Sequence, residues 1–398
     1  MPTVLIASDK FKGSLTAAEV GDAVARGVRR ARSDVTTISQ PVADGGDGTL
    51  AAALAAGYEL VPVVAAGPTG RAVRSGYARR GDTAVVELAD VAGLVRLADD
   101  RFAPMTATSR GAGELIAAAV DAGCTRIVLG IGGSASTDGG SGLLRALGAV
   151  VLDTHGREIG EGGAGLDAAT AVDLTALRRR MSGVDVVVAC DVDNPLTGPR
   201  GAAAVYGPQK GADGEQVTQL EAALDHWADV VADTTGDDQR QAAGAGAAGG
   251  VGFAALALLD ARLQSGIELV LDMTGFHEHL ARADLVVTGE GALDEQTLNG
   301  KAVAGVAAAA RAAGIPVVAV CGRNLLDAGA LATAGIQAAY ALNDVEPDLD
   351  RCLAEGDRLL PVLGERIAAS HLAGSSEFRR TARQDAQSGV QHIPYGMQ

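Results

Sequence analysis

Short apolar runs, each followed by an Ala-rich amphipathic stretch, recur along this chain, and five of the runs end in a loop built from glycine and carboxylate residues. That alternation is the signature of strand–helix units on a parallel sheet. Thr3–Ala7 and Val35–Ser39 read as strands near the start, with helices over Thr16–Ala31 and Gly48–Ala56. Thr16 and Glu19 are spaced as a capping box. Asp284–Thr288, Pro316–Cys321 and Gln337–Ala341 read as three strands near the end, with helices over Lys301–Ala313, Leu325–Ala334 and Pro347–Ala369. Two strands from the start and three from the end make a five-strand set of doubly wound type, flavodoxin-like or Rossmann-like.

The middle of the chain has a different rhythm. Val61–Ala65, Arg74–Arg80 and Thr83–Leu88 are close-spaced strands with Gly-Pro and Gly-Asp turns between them. Arg126–Gly130 and Asp185–Cys190 read as buried strands, and helices are expected over 112–122, 140–148, 214–232 and 247–263. The expected fold is therefore α/β with two α/β domains. A discontinuous doubly wound domain covers 1–60 and 276–370, and a second α/β domain is inserted at 61–275. Residues 371–398 are polar and aperiodic and are expected to be a disordered tail.

Composition excludes several classes. Of 398 residues, 47% are hydrophobic, which is too many for a disordered chain. The net charge of −16, with no basic block, argues against a nucleic-acid partner. No apolar stretch reaches the ~20 residues of a membrane span. Pro2 leads straight into Thr3–Ile6 without a basic leader, so the N-terminus reads as a first strand rather than a signal peptide. The four cysteines lack C-x-x-C spacing and fit reduced thiols in a cytoplasmic protein. A homodimer is left open.

Only four of the 33 basic residues are lysine: Lys10, Lys12, Lys210 and Lys301. Each sits beside or within a glycine-containing turn. A compact ammonium on a flexible stem suits a phosphate oxygen.

The standard nucleotide signatures are missing. There is no Walker loop, and Gly244-Ala-Gly246-Ala-Ala-Gly249 follows no strand, so the dinucleotide fingerprint lacks its context. His277-Glu278-His279 lacks the spacing of a zinc helix. What remains is a set of loops at strand ends. Ser8–Ser14 brings two lysines and a hydroxyl to a helix start, which is an anion site. Pro41–Thr49 carries Asp44 and Asp47 on three glycines and suits Mg²⁺ or a hydroxyl-rich ligand. Gly130–Gly140 offers three hydroxyls and many backbone N–H groups, in the manner of a phosphate cradle. Asp191 opens the fourth loop, which runs on to Tyr206–Gly211. Glu290, Asp294 and Lys301 lie on the fifth. Acids for a divalent cation, cations for phosphates and dipolar loops are the parts phosphoryl transfer uses.

Taken together, the segments SDKFKGS (8–14), ADGGDGT (43–49), TSRGAG (108–113), GIGGSASTDGG (130–140), DVDNPLTGPRG (191–201), YGPQKG (206–211) and TGEGALDEQTLNGK (288–301) resemble the bacterial glycerate kinase family. The resemblance implies ATP- and Mg²⁺-dependent phosphorylation of D-glycerate by two α/β domains with the active site between them, usually giving 2-phosphoglycerate. A 3-phosphoglycerate product, a kinase for another small hydroxy acid and a non-catalytic ligand-binding protein are the alternatives.

On that basis the residues are assigned as follows. Lys12, Ser14, Asp44 and Asp47, with Lys10, hold the substrate, and Arg110 clamps its carboxylate. Gly132, Gly133, Ser134, Ser136, Thr137 and Lys210 bind the nucleotide. Asp191 is the general base or a Mg²⁺ ligand, and Glu290 with Asp294 is the other acid pair. Lys210 and Lys301 neutralise charge on the transferring group.

Overall fold

The computed structural model describes residues 1–97, 101–298 and 302–372. Lys301 and nearly all of the expected tail lie outside the described residues. The chain divides into two compact units, one of residues 1–40, 277–295 and 306–398, the other of residues 41–276 and 296–305.

Five parallel strands form the sheet of the first unit: β1 (Thr3–Ser8), β2 (Thr36–Ser39), β11 (Leu285–Leu293), β12 (Val317–Asn324) and β13 (Ala338–Ala341). Their order is β13-β12-β11-β1-β2. Counted by appearance in this sheet, that is 2-1-3-4-5, the flavodoxin-like doubly wound order, whose switch point lies between β1 and β11. β1 is fully buried from Val4 to Ala7, as a strand covered on both faces must be.

The helix Ala17–Ala31 covers one face of this sheet. Thr16 and Glu19 close the expected capping box, with the Glu19 N–H 3.3 Å from Thr16 Oγ1 and the Thr16 N–H 2.8 Å from Glu19 Oε2. Val20, Val24 and Val28 recur at helical spacing and are fully buried. The same helix packs against Gly356–His371. The region expected as one helix over 347–369 is two, Leu349–Ala354 and Gly356–His371.

The second unit holds a six-stranded mixed sheet. Its strands are β3 (Glu59–Ala66), β4 (Ala72–Arg80), β5 (Thr83–Glu87), β6 (Arg126–Gly130), β9 (Asp185–Ala189) and β10 (Arg262–Gln264), in the order β10-β9-β6-β5-β4-β3. β3, β4 and β5 form an antiparallel meander, and β5, β6, β9 and β10 run parallel. β7 (Val150–Leu152) and β8 (Ala171–Asp173) make a separate antiparallel pair.

Residues 41–60 were expected with the outer domain but belong to the second unit, because the helix Thr49–Ala55 packs on β5 and on the helix Gly266–Thr274. The expected helix over 247–263 is also divided. It is a 3-10 turn at Ala247–Gly249, a helix at Val251–Leu258 and then β10. Gly250 stands at the junction with φ +97°, which ends the turn and starts the helix.

Candidate functional site

Three loops of the second unit line one cavity. Asp44, Gly45 and Gly46 come from the segment before Thr49–Ala55, Ile131 to Ser134 from the loop after β6, and Cys190 to Val192 from the loop after β9. Leu94, Ala189, Tyr206, Gln209, Lys210, Ala247 and Ala248 complete the wall. Its volume of about 240 Å³ far exceeds what one ordered water needs, so it is no packing defect.

Glycine lets these loops meet. A Cβ on Gly132 would stand 2.5 Å from the Gly46 Cα, so the two backbones touch where only hydrogen fits. Gly45 has φ +84°, and a Cβ there would stand 2.6 Å from the Ala189 Cβ and 2.8 Å from the Gly266 Cα. Ala248 holds φ +52° without being glycine, and its carbonyl accepts the Ser134 hydroxyl at 3.4 Å. Backbone strain of this kind costs ~1–3 kcal/mol and persists where its surroundings over-determine it.

Asp191 is one of two carboxylates on the cavity wall. Its Oδ1 accepts the Gly266 N–H at 2.9 Å, which places the carboxylate at the start of the helix Gly266–Thr274. Partial burial raises the Asp191 carboxyl above the usual range, the Gly266 N–H and the Ser265 hydroxyl oppose that, and the carboxylates of Asp44 and Glu268 add to it.

Lys210 stands on the wall as a cation. It is 3% exposed, and its Nζ donates to the Ser136 carbonyl at 2.5 Å. Burial drags the ammonium down to about 8, with the Asp138 carboxylate opposing. Asp138 is itself fully buried. It accepts the Ser109 N–H and hydroxyl at 2.8 Å each, the Gly140 N–H at 3.2 Å and the Gly142 N–H at 3.3 Å. Burial raises its carboxyl and those four donors pull it back. Asp138 therefore ties the Thr108–Gly113 segment to the loop after β6.

Of the residues assigned from sequence, Asp44, Gly132, Gly133, Ser134, Asp191 and Lys210 line the cavity. Ser136 and Thr137 do not, and both are fully buried. The Ser136 carbonyl, rather than its hydroxyl, is what reaches Lys210. Asp47 is exposed and Arg110 is elsewhere: the Arg110 guanidinium binds Glu161 Oε1 at 2.9 and 2.6 Å, while Thr108 and Arg145 hold the same carboxylate.

In the first unit, the loop after β1 and strand β11 meet at the switch point. The Asp9 N–H donates to the Gly289 carbonyl at 2.9 Å, and the Ser8 hydroxyl reaches the same oxygen at 3.0 Å. Lys10 is half-buried and pairs with Asp9 at 3.9 Å, Lys12 is exposed, and the Ser14 hydroxyl donates to the Leu353 carbonyl at 2.5 Å. Glu290 lies within β11 and Asp294 just after it, both half-buried.

Sequence reasoning missed Glu87. It is the last residue of β5, 5% exposed, and its Oε2 accepts the N–H groups of Gly48 at 3.2 Å and Leu50 at 2.9 Å. Burial pushes its carboxyl up to about 7, the two N–H groups oppose that, and Asp47 and Asp90 add to it. The signal was an acid following the apolar run Ala84–Val86 at the end of a strand.

Among the described residues no three His, Cys, Asp or Glu side chains cluster as a metal cage, and no helix is long and apolar enough to cross a membrane. Mg²⁺ is held by one or two carboxylates together with substrate phosphates rather than by such a cage, and the Asp44–Asp191 pair fits that donor set.

Comparison with known proteins agrees with this inventory. Residues 4–372 match the model of the glycerate kinase family. A Bacillus subtilis protein named glycerate kinase is 43% identical over 92% of this chain and 97% of its own length. An Escherichia coli K12 protein named glycerate 2-kinase is 42% identical over 85% of this chain and 90% of its own. The crystal structure of a Salmonella typhimurium LT2 protein described as glycerate kinase 2 superposes with a TM-score of 0.82 at 39% identity, covering 94% of this chain and 99% of that one. A family match over nearly all the described residues, joined to relatives of this identity and coverage, establishes that the chain belongs to the glycerate kinase family.

Proposed function

We propose that this protein transfers the γ-phosphoryl group of ATP to the 2-hydroxyl of D-glycerate, giving 2-phosphoglycerate. The observation that carries the reading is the shared cavity. An acid pair, Asp44 and Asp191, lines the same wall as Lys210 and the N–H-rich turn Gly132–Ser134. Phosphoryl transfer asks for charge neutralisation of the moving group, a cradle for the remaining phosphates and an acceptor for the hydroxyl proton.

Lys210 and the Gly132–Ser134 turn are assigned to the phosphates. Asp191 takes the hydroxyl proton. A carboxyl raised by partial burial and by Asp44 is a better base than an ordinary aspartate. Asp44 is the residue that would hold Mg²⁺, which supplies charge neutralisation at the phosphates. Lys10 and Lys12 are assigned to the glycerate carboxylate, and Glu290 and Asp294 to the second acid pair. The name of the Escherichia coli relative, glycerate 2-kinase, supports the 2-hydroxyl as acceptor.

The test is ATP consumption with D-glycerate and Mg²⁺, with phosphorus NMR of the product. A 2-phosphoglycerate signal is expected. A 3-phosphoglycerate signal would overturn the regiochemistry. Absence of turnover from folded protein, with turnover on tartronate or lactate instead, would overturn the substrate.

A further inference from the structure

Glu87 is a buried acid with no ion pair among the described residues. Its surroundings worsen rather than relieve its burial. Asp47 and Asp90 are the charged groups that act on it, and both are acidic. Asp90 is itself held by Arg96 and by the Ser75 hydroxyl at 2.7 Å, so its cation is taken. Burying a carboxylate without a counter-charge is costly, and an apolar residue of similar volume would serve a core better. Fold stability alone therefore gives no reason for an acid at the end of β5.

Its hydrogen bonds give one. The helix Thr49–Ala55 starts from Gly48, at φ +104°, and has no side-chain cap of its own. The first N–H groups of a helix lack intrahelical partners. Glu87 Oε2 reaches across from β5 and accepts two such donors, from Gly48 and Leu50. The Thr49 hydroxyl between them donates to the Gly46 carbonyl at 2.7 Å. Gly46 lies against Gly132, and Asp44, Gly45 and Gly46 line the cavity. A short, continuous set of bonds thus runs from the Glu87 carboxylate to the turn that carries Asp44.

We infer that Glu87 is a positioning residue: its carboxylate caps the helix Thr49–Ala55 from the neighbouring strand and so fixes the Asp44–Gly48 turn on which the Asp44 carboxylate enters the cavity. The catalytic consequence rests on the kinase reading above. The anchoring itself does not.

The experiment separates reach from charge. Glu87→Gln keeps an oxygen acceptor at the same distance and loses the charge. Glu87→Asp keeps the charge and retracts the acceptor by one methylene. Glu87→Ala removes both. Hydrogen exchange of the peptide covering residues 44–50 is followed with kcat and the KM for ATP. Glu87→Asp and Glu87→Ala should exchange that peptide faster and lose kcat about tenfold or more, as misplacement of a reacting group does. The KM for ATP should rise less than kcat falls, because Lys210 is held by the Ser136 carbonyl and not by the Asp44–Gly48 turn. Glu87→Gln should keep both protection and kcat within about threefold.

Wild-type exchange in Glu87→Asp overturns the inference. So does a Glu87→Gln variant as slow as Glu87→Asp, since charge would then be the property that matters. Should Glu87→Ala fail to fold, the Gln and Asp pair still decides. A wild-type protein that turns over no D-glycerate overturns the proposed function, while the exchange comparison still decides whether Glu87 holds the turn.

Discussion

The Lys210 Nζ lies 2.5 Å from the Ser136 carbonyl oxygen, and that single neutral acceptor is its hydrogen-bond partner among the described residues. A buried ammonium with so little compensation sits near its titration point, at about 8. A phosphate in the cavity favours the charged form and raises that value. Nucleotide binding at a pH slightly above 8 should therefore take up a fraction of a proton, and binding near pH 6.5 should take up none. Calorimetry in two buffers of different ionisation heat measures the uptake. Equal proton counts at the two pH values would remove Lys210 from the phosphate site. Lys210→Met should weaken nucleotide binding about tenfold or more, the scale of one lost charge-assisted contact.

Asp191→Asn tests the base. Asparagine keeps the oxygen that accepts the Gly266 N–H, so the start of the helix Gly266–Thr274 keeps its partner. The charge repelled by Asp44 and Glu268 disappears. Thermal stability at pH 7 should therefore be unchanged or slightly higher. Turnover should fall by about 10²–10⁴, the usual worth of a positioned base, with ATP affinity retained. Normal turnover from folded Asp191→Asn would sink the assignment.

The strands were legible where an apolar run had sharp ends. Arg126–Gly130 stands as read, because a charged residue and a glycine bound a β-branched run. β10 was not, since the Leu-rich stretch before it continues a helical pattern, and only pairing with β9 makes Arg262–Gln264 a strand. The loops of the cavity were legible as glycine-rich, acidic strand ends. Which way each loop residue faces was not. Ser136 and Thr137 looked like further hydroxyls on a phosphate cradle, but both are fully buried and off the cavity wall. Arg110 looked free because its partner, Glu161, lies 51 residues away. Glu87 looked like part of a strand, because its two donors come from a helix start 37 and 39 residues earlier.

Gly132→Ala tests the contact between the two glycine loops. The added methyl would stand 2.5 Å from the Gly46 Cα, which is backbone and has no rotamer to change. Overpacking of that kind costs ~1–3 kcal/mol. Because Gly46 neighbours Asp44 on the cavity wall, turnover should fall along with stability. Gly214→Ala is the matched control. Gly214 opens the helix Gly214–Thr235, and a Cβ there meets nothing within 4 Å. That change should stabilise by ~0.4–1 kcal/mol and leave turnover alone. A Gly132→Ala protein as stable and as active as wild type would show that the loops need no backbone contact.

Glu87 also makes a prediction about stability against pH. Its carboxyl rises from 4.5 to about 7 on folding, burial being the largest cause. A raised carboxyl means that the folded protein binds the proton more tightly than the unfolded chain. The contribution to stability is full below about 4.5 and is lost as pH rises through about 7. At ~1.4 kcal/mol per unit the loss is ~3 kcal/mol. Glutamine does not titrate and resembles the protonated acid. The melting temperature of Glu87→Gln minus that of wild type should therefore be flat below about pH 4.5, climb between about pH 4.5 and 7, and level off above. A difference independent of pH would mean that folding leaves the Glu87 carboxyl at its ordinary value, its burial balanced by the N–H groups of Gly48 and Leu50. A difference that falls with pH would mean that those two bonds hold the carboxyl below its ordinary value, the reverse of what its burial beside Asp47 and Asp90 requires.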